Sequence, residues 1–162
     1  MVRAAGLGLS ITYAALVVWL YAAQPQTVAE MTGGLAAGVG AYRVDDQAMQ
    51  DGLAFFRRDT FPEARAAFDR ADPAHRDPRA QFYIGYSYYR EGWGRVYNDD
   101  TLFTKGIQAV DRAIAAAPER RVVVDDPTLA MHTADELKAE LTRGLTLEPS
   151  DFNPFRVFRY RK

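Results

Sequence analysis

The sequence contains no cysteine, which excludes disulfide bonds, thiolate zinc sites and cysteine nucleophiles. Histidine is scarce: His75 and His132 are the only two, they lie in different segments, and both read as surface residues near helix ends, so no metal site is expected. No G-x-S-x-G, H-E-x-x-H or Ser/His/Asp pattern occurs, and no enzymatic activity or cofactor is expected. An excess of positive charge is missing too. The net charge is −1 and the pI about 6.1, which gives no reason to expect nucleic acid as a partner. Asp125 and Asp126 form the one acidic pair worth weighing as a cation site, but Asp-Asp-Pro ahead of a helix reads first as a turn and cap.

Charge is also absent from Ala4 to Ala23, a run that includes LGLSITYAALVVWLYAA. Twenty such residues as a helix span roughly 30 Å, the thickness of a bilayer core. Arg3 precedes the run, and no Lys or Arg follows until Arg43. The positive-inside rule then places the N-terminus in the cytoplasm and the rest of the chain on the far side of the inner membrane, in the periplasm of a bacterium. Residues 1–23 are therefore expected to be a transmembrane signal-anchor, with residues 4–23 as the membrane contact. A cleaved signal peptide and a buried soluble helix are the other two readings. Cleavage after Ala22 or Ala23 would leave a large residue three positions back, which disfavours the signal peptide.

Residues 24–44 are rich in Gly and Ala and poor in charge, and read as a flexible linker. Gly33, Gly34, Gly38 and Gly40 lack the GK[ST] continuation of a phosphate loop. From Asp45 to Gly144 the pattern is helical, and the fold class is all-α. Asp45 or Asp46 caps a first helix running to about Arg58. Thr60-Phe-Pro-Glu63 reads as a capping box for a second, Asp77-Pro78 starts a third that Gly92 ends, and Asp99 or Asp100 opens a fourth. Phe103, Ile107, Val110, Ile114 and Ala117 form one face of that fourth helix. Val122–Val124 is a short extended run. Thr133-Ala-Asp-Glu136 is a second capping box, starting a helix closed by Gly144, and residues 145–162 read as a tail.

Two helix pairs invite a search for an internal repeat. Gly52 and Gly85 stand 33 residues apart, as do Phe55 and Tyr88. Phe61, Ala64, Phe68 and Ala71 in the first unit correspond to Phe103, Gly106, Val110 and Ala113 in the second, with about nine residues inserted after Gly92. This arrangement resembles the tetratricopeptide repeat family, in two degenerate copies over about residues 46–118. The departures are Asp51, where a leucine is usual, and the insert, where a tight turn is usual. The resemblance implies stacked helical hairpins in a 45–144 domain, with the helix at 133–143 as a cap over the end of the stack. It places Ile84, Gly85 and Tyr88 against the paired helix. It also implies a concave groove lined by Phe82, Tyr86 and Tyr89 from the second unit and Met49, Leu53 and Phe56 from the first, rimmed by Arg57, Arg79 and Arg90.

Tyr and Arg are interface hot-spot types, so such a groove suits an extended peptide or a partner helix. The competing readings are that the rings are buried under the N-terminal linker or the C-terminal helix, or that they form a small-ligand pocket together with Trp93. The insert around Trp93, Arg95 and Tyr97 reads either as a functional loop or as a packed one whose acids cap the next helix. In the tail, Phe155, Arg156, Phe158 and Arg159 alternate rings with cations and read as a docking segment for protein. The expected function is a membrane-anchored protein–protein interaction module: a scaffold, assembly factor or accessory subunit of a membrane or periplasmic complex. The alternative is a periplasmic small-ligand or peptide binder.

Overall fold

The computed structural model describes residues 43–94 and 97–146. The expected membrane span at 4–23, most of the linker, Arg95, and the tail with Phe155, Arg156, Phe158 and Arg159 lie outside them. Among the described residues no helix is long and apolar enough to cross a membrane.

The described chain is all-α: five helices and, in place of a strand, one isolated β-bridge between Val123 and Thr133. Helix α1 spans Asp46–Arg57, α2 Phe61–Ala71, α3 Pro78–Gly92, α4 Asp100–Ala116 and α5 Ala134–Leu145. Three begin at aspartates that the sequence points to. Asp45 accepts from the backbone N–H of Gln47 and Ala48, Asp77 from Ala80 and Asp99 from Leu102, each satisfying donors that a helix start leaves unpaired. The capping box of α5 forms as expected: Glu136 N–H donates to Thr133 Oγ1 at 3.2 Å, and Thr133 N–H donates to Glu136 Oε2 at 3.1 Å.

The other expected capping box does not form. Thr60 makes no side-chain cap on α2; its hydroxyl donates to the carbonyl of Phe55 at 3.0 Å, and its N–H donates to the same carbonyl at 3.1 Å. Thr60 thus closes the tight turn between α1 and α2, in which Asp59 takes a left-handed φ of 57°. Two boundaries also move. Val44, expected in the linker, packs against the core, and α5 continues through Gly144 to Leu145, with Gly144 lying against the ring of Phe103.

Successive helices run antiparallel. Asp45 N–H at the start of α1 donates to the carbonyl of Ala71 at the end of α2. Arg112, late in α4, donates to Gln81, early in α3, and Lys138 in α5 pairs with Asp111 in α4. Two glycines let the hairpins close. A Cβ on Gly52 would stand 2.5 Å from the ring of Phe68, and one on Gly85 would stand 2.6 Å from Val110 and 3.2 Å from the carbonyl of Gly106.

The core is largely aromatic. Phe56 meets Tyr83 edge-on at 5.3 Å, Tyr83 stacks on Phe68 at 5.6 Å, and Tyr89 meets Phe103 at 5.8 Å. Such ring pairs contribute about 0.5–1.5 kcal/mol each beyond the area they bury. Between the hairpins, the buried carboxylate of Asp72 accepts from the backbone N–H of Arg76 and Asp77, both at 2.8 Å, and so fixes the loop that leads into α3.

Candidate functional site

The inner face of α1 and α3 is where the partner groove is expected, and the structure closes it. Phe82 and Tyr86 are fully buried, Tyr89 and Phe56 are 1% exposed, and Met49 is 8% exposed. The stretch from Arg121 to Thr133 lies across α3. Its apolar residues Val122, Val124, Leu129 and Met131 are buried, and polar contacts fix it in place. Tyr83 Oη donates to Asp126 Oδ2 at 2.8 Å, Ala130 N–H donates to Tyr86 Oη at 3.1 Å, and Arg90 Nη2 donates to the carbonyl of Thr128 at 3.2 Å. Phe82, Tyr86, Tyr89, Phe56 and Met49 are therefore core residues and not an open stripe. Tyr86 touches both Phe82 and Tyr89, and Tyr89 also lies against Phe103 of α4.

The remaining groove residues scatter. Leu53 is half-buried against the core. Arg57 is exposed. Arg79 is exposed, with its guanidinium 5.9 Å from the ring centre of Tyr83. Arg90 is a clamp: it lies over Phe56 and Tyr86, reaches Asp59 in the α1–α2 turn at 3.7 Å, and holds Thr128. Tyr88, expected in the core, is half-buried beneath the guanidinium of Arg65, which also bonds Glu91 and so joins α2 to α3.

The Asp125–Asp126 pair does not act as a unit. Asp125 is exposed, whereas Asp126 accepts from Tyr83 and from both the N–H and the hydroxyl of Thr128. Burial pushes the Asp126 carboxyl up, but the bonds from Thr128 and Tyr83 and the charge of Arg57 outweigh it, and the group is held below the ordinary aspartate range. Its partner moves the other way. Burial, then the bond to and charge of Asp126, raise the Tyr83 phenol from 10.0 to about 12. The pair is built to stay Tyr–OH and carboxylate across the whole neutral range.

In the insert, Trp93 is half-buried against the core and Tyr97 is 80% exposed. Asn98 donates to the carbonyl of Gly144 at 3.1 Å and Asp99 N–H to that of Gly92 at 2.8 Å, so the end of the insert is tied to α5 and α3. His132 Nδ1 lies 3.2 Å from the carbonyl of Val124, and His75 lies 3.6 Å from Asp69. Among the described residues no group of three His, Cys, Asp or Glu is placed to hold a metal ion.

The residues that sequence reasoning missed are Tyr83, Thr128 and Ala130, which with Asp126, read there as part of a turn, seat the covering stretch. One signal was there, the side-chain-bonded turn of Asp126-Pro-Thr128; Val122–Val124 is an unbroken apolar run that shows no alternation. Comparison with protein-family profiles, with curated proteins and with solved structures returned no match.

Proposed function

We propose that the chain is a membrane-anchored adaptor of tetratricopeptide type, which binds protein and acts as a scaffold, assembly factor or accessory subunit of a membrane or periplasmic complex. One observation carries this reading. In each hairpin a glycine of the first helix lies against the large residue of the second: Gly52 on Phe68, Gly85 on Val110. The two glycines are 33 residues apart, close to that family's repeat of about 34, and the same contact recurs across the insert. Repeated hairpins of this kind give a rigid stack whose surfaces serve partners rather than reactions. The apolar run at residues 4–23 would hold the stack at the membrane and raise its effective concentration for partners there.

The arrangement of the inner face alters how the adaptor would work. Because the 121–133 stretch already occupies α3, the docking surface belongs on the outside of the stack. A small ligand seated among Tyr86, Tyr89 and Trp93 would compete with the protein's own packing, and no observation favours it. The test is gentle detergent extraction of tagged full chain from its native membrane, followed by native electrophoresis and mass spectrometry. The adaptor reading expects a discrete complex several times heavier than the chain; a lone small species would count against it.

A further inference from the structure

We propose that the outer edge of the Arg121–Asp125 stretch is a docking site for an acidic, extended segment of a partner protein, added as a β-strand. This inference rests on the adaptor reading and supplies it with a surface and a partner chemistry.

The argument begins with the bridge. Ala134 N–H donates to the carbonyl of Val122 at 3.2 Å, and Val124 N–H donates to that of His132 at 2.8 Å, around the antiparallel pair Val123–Thr133. In that register the bridged residue turns its own N–H and C=O away from its partner strand. Neither backbone group of Val123 is bonded by any described residue. The side chains alternate as well: Val122 and Val124 are buried, whereas Val123 is 57% exposed, one of two large hydrophobic residues so exposed among those described. An unpaired strand edge with an apolar outer residue is a template for a further strand, because main-chain bonding gives affinity and alternate side chains give selectivity.

A cleft of about 470 Å³ adjoins this stretch, lined by Pro78, Arg79, Pro118, Arg121, Val123 and Asp125 among others. That is room for several side chains. The lining is formally neutral, with Asp77 and Asp125 against Arg79 and Arg121, and an acidic guest is favoured only beside the two arginines. Arg79 and Arg121 form no ion pair with any described carboxylate. Asp77, also on the wall, already accepts from Ala80 N–H at 2.7 Å as the cap of α3. Asp125 stands at the far end of the stretch and would repel an acidic residue there, which favours a guest whose acids lie towards Arg79 and Arg121.

The test uses the full chain in mild detergent and a capped hexapeptide of alternating glutamate and valine. Saturable binding is expected, with slowed hydrogen exchange at the Val123 amide. The matching lysine–valine peptide should not bind. N-methylation of alternate peptide nitrogens, which removes ladder donors, should weaken binding by about tenfold or more. R79E combined with R121E should abolish it, and V123E, which sets a carboxylate against the acidic guest, should weaken it; all three positions are exposed, so the fold is expected to survive. Absence of binding, binding with unchanged exchange at Val123, or equal binding of the lysine peptide would overturn the proposal. If the peptide fails while the V123E chain still extracts in a large complex, the surface is wrong and the adaptor reading stands. A lone species on extraction removes the adaptor reading whatever the peptide does.

Discussion

Tyr83 and Asp126 are the residues whose removal should be felt most directly. Replacing Asp126 by Ala leaves the buried phenol of Tyr83 and the groups of Thr128 without their acceptor, at a cost of about 1–3 kcal/mol. Tyr83→Phe removes the donor and should cost about 1 kcal/mol. Because the two side chains share one bond, the double variant should lose less than the sum, and urea unfolding followed by circular dichroism measures all three. The same pair sets a pH dependence at both ends. The Asp126 carboxyl is depressed on folding, so its contribution is complete above the ordinary aspartate value of 3.8 and is lost as pH falls through the lower folded value. The Tyr83 phenol is raised, so its contribution is complete below 10.0 and is lost as pH rises towards about 12. Unfolding midpoints should fall in both ranges, and Tyr83→Phe should flatten the alkaline fall and reduce the acid one, because the Tyr83 bond is among those that depress Asp126 while the Thr128 bonds remain.

At the scale of elements, the close hairpin between α3 and α4 depends on Gly85. Gly85→Leu would drive a side chain into Val110 and the Gly106 carbonyl, and should cost about 1–3 kcal/mol in thermal or urea unfolding, with helix content kept below the transition. The caps at Asp45, Asp77, Asp99 and Thr133 were legible because capping is a local property of a few adjacent residues. Thr60 was misread because its hydroxyl had a second use, closing the α1–α2 turn, that local spacing does not reveal. The aromatic stripe on α3 failed for a different reason. Spacing correctly groups Phe82, Tyr86 and Tyr89 on one side of a helix, but a groove follows only if that side is left open. Residues 80–89 of α3 contain no charge at all, and a helix without a polar face is buried all round. That signal was present in the sequence and outweighs the stripe.

For the whole molecule, the long connection from Ala117 to Thr133 separates the two helix pairs from α5. It covers α3, turns at Asp126, pairs briefly with its own end at Val123 and leads into α5. No periodicity marks such a stretch, because its burial is decided by what lies beneath it, which is why the occupied inner face was not evident beforehand. The five helices among the described residues all lie beyond residue 45, so deletion of residues 1–42 should leave a helical domain with a cooperative melt; a non-cooperative melt would mean that the N-terminal segment helps to build the fold.

If the chain acts as the proposed adaptor, its inner face stays filled by its own residues while it holds a partner. Amide hydrogen exchange at Ala130 and Val124, whose N–H groups donate to Tyr86 Oη and to the carbonyl of His132, tests this in the free chain and in the extracted complex. Slow exchange at both amides in both states is the predicted result. Slow exchange in the free chain that becomes fast in the complex would contradict it, showing that a partner displaces the 121–133 stretch and takes the aromatic face for itself.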